Sequence, residues 1–256
     1  MNHTLYKGAF WFDLMLVLLA CVAGSVDVMS YYRLGHVFTA NMTGNTILLG
    51  LAIGQGKVAS SLHSLAALAG FFAGSITGAL FIYNTKKTWT FFISLSTFIE
   101  ALIIFVLALI WFEQPVITNE TVLYVSIILS AIAMGIQSVT VRHLNIPGIV
   151  TTYLTGTITS IGMSVVTGIK RGFRQKAKEK KRELPLPKNL EQRIKLQVLV
   201  YVAYGLTAVF TGWLEYLKSF LLPMLPLLLI LIVLIIVLSR PKHPHLSTLQ
   251  HTSVAS

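Results

Sequence analysis

The chain has 256 residues, of which 55% are hydrophobic and 11% charged, against roughly 25% charged in soluble globular domains. So apolar a chain cannot cover itself with polar groups, which argues against a soluble enzyme, a disordered scaffold or a secreted disulfide module; with Cys21 alone it can form no intramolecular disulfide. The formal charge of +11 is uneven: 11 of the 20 basic residues lie between Lys170 and Lys195, as expected of a cytoplasmic loop under the positive-inside rule rather than of a nucleic-acid surface.

The elements follow in chain order. Spanning the hydrocarbon core takes about 20 mostly apolar residues in a helix. Stretches of that kind run over 11–32, 62–83, 90–112, 121–141, 196–214 and 219–239, the last with Pro223 and Pro226 near its start, where helices accept proline best. Lys7 and the run Leu18-Leu19-Ala20-Cys21 faintly resemble a lipoprotein signal. The chain stays apolar beyond Cys21, so the expectation is a retained first helix.

Two further stretches, 37–54 and 149–168, are long enough but rich in Thr, Asn and Gly, and each follows a helix-breaking segment (Arg33 to His36, and Asn145 to Gly148). They also match each other. Val37-Phe38-Thr39-Ala40-Asn41-Met42-Thr43-Gly44-Asn45 aligns with Ile149-Val150-Thr151-Thr152-Tyr153-Leu154-Thr155-Gly156-Thr157, with Thr, Thr and Gly at one spacing. Each copy follows a long apolar stretch with a strongly polar group at the same depth, Asp27 in the first and Gln137 in the second, and each precedes two more apolar stretches.

The expectation is therefore an all-α integral membrane protein made of one transmembrane domain over 1–256. Its first repeat spans 9–113 and its second 119–240, with a basic cytoplasmic loop at 170–195 and a polar tail at 241–256. Each repeat has three transmembrane helices and one broken, re-entrant half-helix segment. Full crossings by the two broken segments would give eight crossings, 4+4. Both schemes leave the termini cytoplasmic. The six-crossing scheme places Lys86-Lys87 inside and the acidic loop with Glu113 and Glu120 outside, which fits the charge rule better, and it makes the repeat inverted.

Irregular backbone survives in a membrane only where protein shields it or a wet cavity receives it. A Thr-Gly step after an extended run starts a short helix, with Asn41 or Thr43, and Thr155, as caps, and its free N–H groups favour negative charge. Paired interruptions in two halves point to a transporter's substrate site; close helix packing by Thr and Gly is the competing explanation. The substrate-binding candidates are Asp27, Thr39, Asn41, Thr43, Gly44, Asn45, Gln137, Thr151, Thr155 and Gly156.

The runs Gly24-Ser25-Val26-Asp27-Val28 and Val37 through Thr46, with Met134-Gly135-Ile136-Gln137-Ser138, Pro147-Gly148 and Thr151 through Gly156, resemble the YoaK-type bacterial membrane proteins. The Ala-Asn-Met-Thr-Gly-Asn string is the most specific part, and the resemblance covers about 11–239. It implies a compact multi-pass inner-membrane fold and no substrate, the family having long been labelled as of unknown function. The insert 170–195 looks long and unusually charged for it.

Ionisable groups inside spans are costly and are functional candidates by default. Asp27 and Glu100 are the proton-coupling candidates; for Asp27 an ion pair with Arg33 is the structural alternative. Gly70, Gly74 and Gly78 form a small-residue stripe for packing on a helix of the same chain or of a second protomer. His36 and His63 lack metal-ligand spacing, and the tail's histidines lack partners. Neither a metal nor a cofactor is expected. No nucleophile elbow, phosphate loop or catalytic carboxylate pair is present. The function expected is a secondary transporter or channel for a small polar or anionic solute in the bacterial plasma membrane, and not an enzyme; a non-transporting scaffold or sensor is the alternative. Expected partners are lipids, with anionic lipid at the basic loop, the solute and a second copy of the chain, but no nucleic acid.

Overall fold

In the computed structural model of the protein, the described residues are 3–83, 89–113, 117–143, 154–177, 188–217 and 222–239. Eight helices occupy them: α1 (His3–Arg33), α2 (Met42–Gly54), α3 (Val58–Tyr83), α4 (Trp89–Glu113), α5 (Glu120–His143), α6 (Leu154–Ala177), α7 (Lys188–Tyr216) and α8 (Met224–Leu238). Five contain segments long and apolar enough to cross a membrane: Phe10–Arg33, Val58–Ile82, Phe91–Glu113, Glu120–His143 and Ile194–Tyr216. The apolar helices α2 and α8 have 13 and 15 residues. Large apolar side chains such as Phe72, Leu102, Val209 and Ile235 face outward. In lipid that exposure matches the solvent; in water it would be one large sticky surface.

Among the described residues the expected stretches fall on helices, with three adjustments. The 219–239 stretch is helical only from Met224, and its 15-residue helix falls short of the length of the five spans. The 37–54 stretch is helical only from Met42, because residues 34–41 run back alongside α1. The 149–168 stretch continues as α6 through Ala177, taking the helix into the basic region. Thr151, the Pro147-Gly148 step, Lys86-Lys87, the middle of the basic loop and the tail from Arg240 lie outside the described residues.

Packing fixes the directions. α1 and α7 lie side by side and run the same way: Cys21 reaches the Ala203 carbonyl at 3.8 Å, Tyr204 meets Asp27 and Glu215 meets Arg33. α3 and α5 do likewise, with Gly70 against Ile128, Gly74 against Ile132 and Gly78 against Ile136. The glycine stripe thus packs within the chain. A Cβ on Gly70 would stand 2.9 Å from the Ile128 carbonyl oxygen, and Gly135 of α5 fits as tightly against the backbone of Phe71. α1 and α5 run oppositely, since Gln137 meets the carbonyl of Leu19 while Ser130 joins the segment held by Ser30. Besides these pairs, α2 packs on α3, α6 on α7, α4 on α5 and α8, and α1 on α8.

Candidate functional site

The first broken segment is pinned from three sides. Asp27, 3% exposed on α1, accepts through Oδ1 from the backbone N–H groups of Ala40 (2.7 Å) and Asn41 (3.2 Å). Its Oδ2 accepts from the hydroxyl of Tyr204 on α7 at 2.6 Å. The carboxylate thereby satisfies the donors that irregular backbone leaves open, the condition for such backbone to be buried in a membrane protein.

Thr39 extends the junction to the second half of the chain. Its hydroxyl lies 2.9 Å from Ser30 of α1 and 2.8 Å from Ser130 of α5, and all three are buried. Asn45, fully buried in the first turn of α2, clamps Phe38 by accepting from its N–H at 2.9 Å and donating to its carbonyl. Asn41 is the cap of α2 and accepts from the N–H of Gly44 at 3.2 Å. A Cβ on Gly44 would stand 2.8 Å from the Phe38 ring, so this glycine permits the tight return.

The other candidates do not gather here. Thr43 and Thr155 are both exposed, on half-helices that pack on different partners, α2 on α3 and α6 on α7. Gly156 is half-buried. Gln137, 1% exposed, donates to the Leu19 carbonyl at 3.0 Å and ties the second half back to α1. Arg33 does not pair with Asp27; it binds Glu215 of α7, N to O 3.1 Å. Residues six apart on a helix stand about 120° apart around it, so Arg33 and Asp27 face different neighbours. Glu100 is buried at mid-helix in α4, away from the Asp27 hydrogen bonds.

Sequence reasoning missed Ser30, Ser130 and Tyr204. Ser130 had a signal: with Ser126 and Gln137 it places polar groups one or two turns apart along a buried face of an apolar helix. Tyr204 had none, since an aromatic residue in a span reads as packing. Among the described residues no group of three or more His, Cys, Asp or Glu could hold a metal. What the arrangement offers chemically is a buried carboxylate and a chain of hydroxyls joining irregular backbone of one half to two helices of the other. It can bind polar groups or hand over a proton.

No solved structure matches the chain. The UPF0700 transmembrane protein YoaK of Bacillus subtilis (strain 168) is 43% identical over 148 residues, a stretch covering 57% of this chain and 64% of that protein. The chain thus spans less than two thirds of that relative's length in the match. The family described as "Protein of unknown function (DUF1275)" matches residues 15–237, which include all of the junction from Asp27 to Tyr204. With its apolar helices and this relative, the chain is a multi-pass membrane protein belonging to the DUF1275 family.

Proposed function

We propose that the protein is a secondary transporter or channel for a small polar or anionic solute, bound where Asp27, Thr39, Ser130 and Tyr204 meet, in the bacterial plasma membrane with both termini cytoplasmic. The observation that carries the reading is this junction. Irregular backbone of the first half is held by side chains of α5 and α7, so a shift of one half against the other opens it without unfolding a helix.

The helix partnerships support a twofold relation between the halves. The α3–α5 contact has its counterpart in α7–α1, α2–α3 in α6–α7, and α4–α5 in α8–α1, while α1 and α5 run oppositely. In this reading α2 and α6 are re-entrant, six helices cross, and the repeat is inverted, an arrangement common in transporters. Asp27 already takes the N–H groups of Ala40 and Asn41. An anion must displace that carboxylate or meet it protonated; a neutral polar solute faces no such conflict and comes first. Anionic lipid belongs at the far end of α6, whose helix carries Lys170, Arg171, Arg174 and Lys176 in sequence.

The deciding experiment measures thermal stabilisation of purified protein over a panel of small polar and anionic solutes, followed by uptake of any hit into vesicles. At least one solute should raise the melting temperature, and Asp27→Asn should remove both that shift and uptake. One observation favours a second reading, a non-transporting scaffold or sensor: Asp27, Thr39 and Asn45 all have protein partners already. A panel without hits, together with an Asp27→Asn protein that loses stability alone, would establish the scaffold. Orientation is tested separately in a Cys21→Ala background. A cysteine replacing Pro115 should react with an impermeant thiol reagent from outside and one replacing Thr85 should not; the reverse pattern excludes six crossings.

A further inference from the structure

Among the described residues two acids, Asp27 and Glu100, are buried within apolar helices, and they are held differently. Both oxygens of Asp27 accept hydrogen bonds. Glu100, 2% exposed midway along α4, has its Oε1 buried with no hydrogen-bond partner among the described residues. We infer that Glu100 is an exchangeable proton site, separate from the Asp27 junction and reached along a small cavity between α3, α4 and α5.

The surroundings leave few other partners. α8, which packs on α4, has no ionisable residue between Met224 and Leu238. On α5 the ionisable residues stand at the two ends, Glu120 and Tyr124 at the start and Arg142 and His143 at the finish. α3, which also touches α4, offers His63 among its described side chains, and α4 itself ends in Glu113. α1, which shares the core, carries Asp13 and Asp27. Among the described residues none of these forms a hydrogen bond or ion pair with Glu100. An unpaired carboxylate in a dry interior is costly. A proton removes that cost and can come and go without disturbing the packing.

A small, partly polar cavity lies one helical turn from Glu100, toward the end of the bundle where α5 finishes. A cavity of about 10 Å³, roughly the room for one water molecule, is lined by Ser96, Thr140 and His143 together with Gly78, Phe92 and Ile93. His143 is exposed at the end of α5, and Thr140 lies one turn deeper. Across the cavity Ser96 of α4 precedes Glu100 by four residues, one turn on the same helix face. The hydroxyls of Ser96 and Thr140 donate to carbonyls of their own helices, at 3.1 and 2.9 Å, and their oxygens keep the capacity to accept. Space for one water and three polar side chains suits a proton. A metal cation needs several oxygen ligands at once.

Dicyclohexylcarbodiimide partitions into lipid and adds to a protonated carboxyl group, leaving a stable N-acylurea. In wild-type protein reconstituted into neutral phospholipid vesicles, peptide mass mapping should find the adduct on Glu100 at about pH 5. The yield should fall at least about fivefold by about pH 9, as ionisation removes the reactive form. Asp27, enclosed by its donors, should stay unlabelled, and Glu100→Gln should abolish the adduct. Ser96→Leu fills the cavity and should slow hydrogen–deuterium exchange of the Glu100 carboxyl, followed by its infrared C=O band, by about tenfold as its water is displaced. No Glu100 adduct at any pH in protein of intact helicity overturns the proposal, as does a yield independent of pH. Exchange unchanged by Ser96→Leu overturns the route. The labelling reads Glu100 alone, so it succeeds or fails independently of whether the junction binds a solute.

Discussion

Two pairs of parallel, packed helices are built from opposite materials. Between α3 and α5 the contact is glycine on backbone: Gly70, Gly74 and Gly78 face Ile128, Ile132 and Ile136, with Gly135 pressed on Phe71. Between α1 and α7 one glycine, Gly24, takes that role against Tyr204, and the rest is polar side chains: Asp27 with Tyr204, Cys21 with the Ala203 carbonyl, and Arg33 with Glu215. Glycine packing holds two backbones close and has no alternative arrangement of similar energy. Side-chain hydrogen bonds can exchange partners or take up water. On the proposed transport reading, α3–α5 is the joint expected to hold and α1–α7 the one expected to slip, with the candidate site at the second.

The largest effect should come from breaking the fixed joint. A Cβ on Gly74 would overlap the Ile132 backbone, which cannot rotate away as a side chain could. Gly74→Val should cost about 3 kcal/mol or more and abolish the folded protein in a detergent melting assay. Gly205, on α7, has nothing within 4 Å of its Cβ position, so Gly205→Ala should be neutral or stabilising by roughly 0.5–1 kcal/mol. Equal damage at both positions would contradict the distinction.

Changes at the slipping joint should be milder. Tyr204→Phe removes one donor from a buried carboxylate and should cost about 1.5–3 kcal/mol in equilibrium unfolding, with solute response altered more than the fold. The smallest effect belongs to the Arg33–Glu215 pair, whose side chains are 11% and 21% exposed. A double-mutant cycle with Arg33→Gln and Glu215→Gln should give a coupling of about 0.5–1.5 kcal/mol, since the pair is mostly shielded from water but sits at the two helix ends. A coupling beyond that range would make this pair, not Asp27–Tyr204, the main latch between α1 and α7.

Much of this architecture is legible in the order of the residues alone. Apolar runs locate the helices because lipid demands about 20 apolar residues per crossing, and the Thr-Gly interruptions stand out because lipid forbids them without reason. Asp27 is legible for the same cause, as a charge where charge is expensive. Its partners are not: Ser130 lies 91 residues from Thr39 and Tyr204 lies 177 from Asp27, separations that carry no periodic signal. The glycine stripe announces a close helix neighbour but not which one, since any backbone can approach glycine. The alternative reading of Asp27, an ion pair with Arg33, fails because nearness in a helical sequence is not nearness in space.

The fifteen residues of α8 reach about 22 Å, whereas the hydrocarbon layer is about 30 Å thick. If α8 crosses, as the six-crossing reading has it, the mismatch on that flank is met by thinning of the bilayer beside the helix that also packs against α4. On that reading the protein is expected to prefer shorter acyl chains on this flank alone. Its melting temperature should fall as it is moved into bilayers of progressively longer acyl chains.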